Sequence, residues 1–241
     1  MEQLLNELVL RLKEAYGDGL LSVILYGSGA VTDHHSKYSN LNVLCVLRQV
    51  GLPELRKAEK AMRWWLKQKQ PAPLFVSAEE VRSSDDVYPI EYLDIQQNHR
   101  VLHGEDLYAS IQVDRSNHRR QVEHELSSNL LRLRQRYLVL HPSDKDIVRL
   151  MVDSIASFAT LARHALILAG GGSGSPDIIP AKKREIFDAA AKRFGLDAAP
   201  FHAVLGIREG TAKSSGKEVH ALFASYLEQI AKLEEAVDRI Q

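Results

Sequence analysis

The sequence predicts an α+β protein in which an N-terminal mixed sheet with flanking helices is followed by an all-helical bundle. Three observations carry this. Extended apolar runs alternate with helical patterns as far as about residue 112, and from Asp114 onward the strand-like runs stop. Beyond that point apolar residues recur every three or four positions, the period of a helix packed on one side. The composition is that of an ordinary globular chain, with 45% hydrophobic and 26% charged residues in 241 positions, enough for one large domain or two small ones. The predicted domains are therefore residues 1–112 and 113–241.

The opening helix places Leu4, Leu5, Leu8, Leu12 and Ala15 on one face and stops near Gly17 and Gly19. A strand is predicted over 20–26, followed by the turn Gly27-Ser28-Gly29, a polar stretch to Asn40, and a second strand over 41–47. Pro53 opens a helix that carries Ala58, Ala61, Met62, Trp65 and Leu66. Shorter extended pieces are expected over 74–77, 88–95 and 100–102.

In the second half, Val122, Leu126, Leu130, Leu133, Tyr137 and Leu140 mark one stripe of a long helix. Ser143-Asp144-Lys145-Asp146 supplies an N-cap and first-turn acids for the next helix, which is apolar around much of its girth from 147 to 168 and so is expected at the centre. Gly170-Gly171-Gly172-Ser173-Gly174-Ser175-Pro176 lacks the Gly-Lys-Ser/Thr ending of a phosphate loop and reads as a flexible connection. A helix over 180–194 is closed by Gly195, and a last one carries Val219, Leu222, Phe223, Tyr226, Leu227, Ile230, Leu233, Val237 and Ile240 on its apolar face.

Charge and composition exclude several classes. The 31 basic and 31 acidic side chains cancel, which removes the strong field of a nucleic-acid-coating or polybasic membrane protein, so no extended nucleic-acid surface is expected. No apolar run reaches the roughly 18–20 residues that span a bilayer, and the N-terminus is amphipathic and acid-bearing, which predicts a cytoplasmic protein with no membrane partner. Cys45 is the only cysteine, so disulfide frameworks and cysteine-cluster metal sites are excluded, and it is expected in the core. The ten histidines include no His-x-x-x-His pair with a supporting glutamate, the spacing of a zinc-binding helix. Arg115, Arg119, Arg120, Arg132, Arg134 and Arg136, mixed with Glu123 and Glu125, read as a solvated helix face.

One stretch carries chemistry. A strand leads into Leu25-Tyr26-Gly27-Ser28-Gly29-Ala30, then a polar stretch, then Ser39-Asn40-Leu41-Asn42-Val43-Leu44. This order and spacing resemble the signature of the DNA polymerase β-like nucleotidyltransferase superfamily. Val101-Leu102-His103-Gly104-Glu105-Asp106 is similar to the end of the same domain in bacterial nucleotidyltransferase-domain proteins, and the helical half resembles that of kanamycin-nucleotidyltransferase-like enzymes. The resemblance implies that Gly27, Ser28 and Gly29 hold a nucleotide's phosphates, a task suited to the free N–H groups at a helix start. It also implies two metal-binding aspartates on the second strand, separated by one residue and so on one face. Here those positions are Asn40 and Asn42. The family's third carboxylate comes from a later strand, for which Glu91 and Asp94 are the candidates, on opposite faces if 88–95 is extended; Asp33 is a further candidate contact.

Mg²⁺ is a hard cation that wants charged oxygen ligands, and phosphoryl transfer needs its charge. Asparagine keeps the size of aspartate and a carbonyl oxygen but removes one negative charge at each position. The expectation is a nucleotide-binding protein with weak or lost catalysis and no metal held at these asparagines. Two other functions stay open: an active Mg²⁺-dependent nucleotidyltransferase acting on a small-molecule or protein hydroxyl, and a non-enzymatic partner-binding or regulatory subunit. A nucleoside triphosphate is the partner implied, Mg²⁺ the cofactor if transfer is active, and the helical domain the part through which an oligomer would form. A third reading is a fused toxin and antitoxin-like pair, since bacterial nucleotidyltransferase domains are often coupled to helical domains of this kind.

Overall fold

The computed structural model describes residues 1–31, 41–170, 180 and 182–240. They form two compact units, Met1–Asp114 and Arg115–Gln241. The first contains a small mixed sheet and the second is helical, the α+β class that the sequence patterns predict.

In the first unit, α1 (Glu2–Tyr16) buries Leu5, Leu8 and Leu12, spaced three and four apart. A 3-10 turn at Gly17–Gly19 leads into β1 (Leu20–Tyr26). Then come α2 (Ser28–Val31), β2 (Asn42–Leu47), α3 (Leu52–Lys57), α4 (Glu59–Lys67), β3 (Leu74–Ser77), α5 (Ala78–Ser83), α6 (Pro89–Gln97) and β4 (His99–Gly104). The sheet order is β3-β2-β1-β4. β1 runs antiparallel to both β2 and β4, while β2 and β3 are parallel.

Strand alternation divides the apolar residues between two layers. Val23 and Leu25 of β1 and Val43, Cys45 and Leu47 of β2 pack against α1 and against Ala61 and Trp65 of α4. Ile24, Leu44 and Val46 face the other way, toward Ala78 and Val81 of α5, Tyr92 and Ile95 of α6, and Tyr108. Cys45 lies in the first layer, and burial pushes its thiol pKa up, so it is inert core. Trp65 is fully buried and its indole N–H donates to the Pro71 carbonyl at 2.7 Å.

One predicted strand is a helix. Residues 88–95 do not extend: Pro89 opens α6, and Pro89, Tyr92 and Ile95 are buried at intervals of three. Proline at the first helical turn, where no backbone N–H is needed, was the signal for this. The helix opened by Pro53 is also two helices, α3 and α4, and Leu66 stands 53% exposed rather than on the buried face.

The Gly104-Glu105-Asp106 segment acts as a structural clasp. Gly104 pairs with Ser22 at the end of the β1/β4 ladder, beyond a register shift between Val23 and Ile24, and has φ +78°. The Ser22 hydroxyl donates to the Glu105 carbonyl at 2.7 Å and also lies 3.2 Å from that of His103. Asp106 Oδ1 accepts from the amides of Tyr108 and Ala109, and its Oδ2 lies 2.8 Å from His99 Nε2. Partial burial works against ionisation of Asp106, but the His99 hydrogen bond and charge and the two amides outweigh it and hold the carboxyl below the usual carboxylate range. A depressed folded-state pKa stabilises above the unfolded value, near pH 4, and that contribution fades as pH falls through the folded value. Asp106→Asn should therefore lower the urea midpoint of this unit at pH 7 and leave a shallower decline between pH 5 and 3. An identical acid limb in parent and variant would remove the clasp's electrostatic role.

The second unit consists of α7 (Arg115–Leu140), α8 (Asp144–Gly170), α9 (Lys183–Phe194), α10 (Ala199–Arg208) and α11 (Lys217–Asp238). α8 packs against all four others. By length and composition it could cross a membrane, but Ile147, Met151, Ile155, Phe158, Ala162 and Ala165 are buried within the bundle, as befits a central helix. Ser143 Oγ accepts from the Asp146 amide at 3.3 Å, and Gly195 closes α9 in the left-handed conformation. α10 has no counterpart among the predicted elements; it opens with Pro200 and buries Phe201, which stacks on Phe187 at 4.2 Å. The glycine-rich connection at 171–176 lies outside the described residues.

Candidate functional site

The site candidates gather where β1 ends. Tyr26, the last residue of β1, pairs with Asn42 on one side and His99 on the other. The chain then turns at Gly27, whose φ of +74° favours glycine, and enters α2 at Ser28. The Gly27 amide donates to the Asn98 carbonyl at 2.9 Å, and the Gly27 carbonyl accepts from Ala30 at 3.0 Å. Gly29 is buried.

Asn42 sits against this turn. A Cβ on Gly27 would lie 3.3 Å from Asn42 Nδ2, so the turn and the first residue of β2 are in contact distance and the glycine makes room for the amide. Asn42 alternates with Leu44 and Val46 and so faces the α5/α6 layer. The structure thus brings Gly27 and Asn42 together and starts a helix at Ser28. Asn40, Asp33 and the Ser28 side chain lie outside the described residues.

Glu91 and Asp94 stand on α6 rather than on a strand. They are three residues apart on a helix, hence on neighbouring parts of one side and not on opposite faces. Glu91 is exposed and Asp94 half-buried. Burial raises the pKa of the Tyr26 phenol, and the negative charge of Glu91 adds to the rise, which sets Glu91 close to the end of β1. The C-terminus of α6 is tied to the phosphate-loop candidate through one residue: the Asn98 amide donates to the Asp94 carbonyl at 3.1 Å, and the Asn98 carbonyl receives Gly27. Tyr26 and Asn98 are contributors that sequence reasoning missed. Only the Pro89 helix start would have pointed to Asn98, as the residue that follows the helix.

Among the described residues, the donors at this corner are poor ones for a hard divalent cation. Asn42 offers a neutral amide, and the later strands, Leu74–Ser77 and His99–Gly104, carry no aspartate or glutamate. Among the described residues no group of three or more His, Cys, Asp or Glu side chains is placed to hold a metal ion. What the corner does offer is a set of turn and helix-start amides beside a neutral, hydrogen-bonding side chain.

No protein-family model matches the sequence, and no curated protein does. Among solved structures, the chain is similar to a spectinomycin adenyltransferase from Enterococcus faecialis, crystallised with ATP and spectinomycin. The identity is 14%, the TM-score 0.59, and the match covers 99% of this chain and 100% of the other. At that identity the likeness concerns the fold alone, which this chain shares with that adenyltransferase.

Proposed function

We propose that this protein is a nucleotidyltransferase-fold nucleotide binder in which metal-dependent transfer of a nucleoside monophosphate is weak or absent. The observation that carries the reading is Asn42: its amide lies against the Gly27 turn where the resemblance requires a carboxylate. The absence of acids from β3 and β4 supports it, since a third ligand on a strand is missing as well. The amides of Ser28 and Gly29 then bind phosphate oxygens without a charged partner opposite them, while Gly27, whose own amide donates to the Asn98 carbonyl, makes the turn. Glu91 and Asp94 take no metal-binding part in this reading; Glu91 contributes negative charge beside Tyr26. The proposed setting is the cytoplasm, with the helical unit as the route to any oligomer.

Calorimetric titration of ATP, GTP, CTP and UTP, each in Mg²⁺ and in EDTA, tests this. ATP comes first because the structural neighbour was crystallised with it. Saturable binding of at least one nucleotide that survives EDTA is expected, and a ligand at about 100 times its Kd should stabilise the fold by about 2.7 kcal/mol. Micromolar Mg²⁺ binding that requires nucleotide would overturn the loss of the metal site and favour the active enzyme, with Glu91 and Asp94 then the ligands to test. Failure of every nucleotide in both conditions would overturn nucleotide binding and leave a partner-binding or regulatory subunit.

A further inference from the structure

The sheet face that carries Asn42 continues, from Leu44 onward, into a pocket of about 490 Å³ within the first unit. Its size falls in the range of small-molecule sites, roughly 300–1,000 Å³. Leu74 and Val76 of β3 form one wall, and the rings of Tyr88, Tyr92 and Tyr108 contribute others. Leu74 is 55% exposed and Tyr88 52% exposed, so apolar surface stands in water at this opening. Large apolar side chains around a concavity are a costly arrangement for a site with no occupant.

The charge at this pocket has one sign. Glu80 of α5 and Glu91 of α6 line it, and no Lys, Arg or His is among the described lining residues. Burial, followed by the charges of Asp85, Asp86 and Glu80 among its causes, pushes the Tyr92 phenol up to about 12. The Tyr92 hydroxyl donates to the Val81 carbonyl at 2.8 Å, so its ring is held in place and its polar end is already satisfied. Glu80 accepts from the Ser77 amide through one oxygen in a capping box, which fixes that carboxylate at the rim.

We propose that this pocket binds an apolar organic ammonium ion, its ring or alkyl body lying among Leu74, Val76 and the tyrosines and its protonated amine directed at Glu80 and Glu91. The apolar walls favour the body through water release. The carboxylates favour the cation, and tyrosine faces add attraction for it. A phosphate or carboxylate is repelled by the same acids, which separates this ligand class from the nucleotide assigned to the Gly27 turn. The site goes beyond the nucleotide-binding reading and does not rest on it.

The test uses the full chain at pH 7 without nucleotide, titrated calorimetrically with three probes of one shape: 1-naphthylmethylamine, 1-naphthylmethanol and 1-naphthoate. Saturable binding of the amine is expected, about tenfold tighter than the alcohol, which is what a partly exposed ion pair together with cation–π contact amounts to. The naphthoate should not bind. Glu80→Gln/Glu91→Gln, which keeps the oxygen of the capping box, should bring the amine most of the way down to the affinity of the alcohol, leaving only the cation–π share of the preference. Leu74→Lys, at an exposed position, should abolish binding of the amine and of the alcohol and stands as the check should the double variant fail to fold. Equal affinity for the three probes, or no binding by the amine, overturns the proposal. Displacement of the amine by ATP also overturns it, because the pocket would then be the seat of the nucleotide's base.

Discussion

Gly104→Ala should unfold the first unit or leave it barely stable while the helical unit stays intact. An alanine Cβ at this position would lie 1.9 Å from the Leu21 carbonyl oxygen and 2.8 Å from its carbon. Both are backbone atoms of the central strand and cannot swing aside. The backbone at φ +78° adds a conformational cost of about 1–3 kcal/mol for a residue with a Cβ, and the overlap adds roughly another 1–3 kcal/mol. A small unit with a few kcal/mol of stability does not carry that sum. Gly195→Ala provides the contrast: it has a similar φ of +71° but nothing within 4 Å of the added carbon, so only the backbone cost, near 1 kcal/mol, applies. The two units can be read separately. Both tryptophans, Trp64 and Trp65, belong to the first unit, so their fluorescence follows its unfolding, while far-UV circular dichroism also follows the long helices of the second. Loss of the fluorescence transition in Gly104→Ala with most helical signal retained is the expected result. A urea midpoint within error of the parent's would mean that β4 leaves the sheet at 104 at little cost.

That glycine shows what was legible and what was not. The segment ending Gly104-Glu105-Asp106 is visible in the sequence as a family likeness, yet its physical content appears only when β4 is seen to lie against Leu21 and Ser22, eighty residues away in the chain. β1 and β2 were readable because their apolar runs are bounded by glycines and polar residues, and because fully buried strands need no other pattern. α6 was not, since Tyr88-Pro89-Ile90-Glu91-Tyr92 offers apolar residues at two-residue steps and β-favouring aromatics, while what decides it is burial of Tyr92 and Ile95 beneath the sheet. The misreading carried into the site: Glu91 and Asp94 were sought on a strand, and the strands prove to hold no acid. α10 was missed for another reason. Its ten residues show one apolar patch, too short for periodicity to establish, and Phe201 is fixed by a ring on α9. The contact between Gly27 and Asn42, by contrast, follows from two strands pairing antiparallel with their ends level.

The charges themselves can be put back. Asn40→Asp/Asn42→Asp keeps side-chain size and returns two hard oxygen ligands, one at the first residue of β2 and one two positions before it in the sequence. Without metal, two carboxylates near each other repel, so in EDTA the fluorescence transition of the double variant should come slightly earlier than the parent's. With Mg²⁺ and ATP together it should shift the other way, by the equivalent of about 2–3 kcal/mol at concentrations about 100-fold over the Kd, and neither component alone should suffice. The parent should show no such joint requirement. Turnover is a stricter demand, because β3 presents Leu74, Phe75, Val76 and Ser77 where a third strand carboxylate would be needed. Release of pyrophosphate by the double variant should therefore stay at background even when binding is restored, and its appearance would assign the third ligand to Glu91 or Asp94 on α6. If the double variant melts at the same temperature with and without Mg²⁺ for every nucleoside triphosphate, then more than charge has been lost at the Gly27 corner, and a partner-binding role replaces the nucleotide.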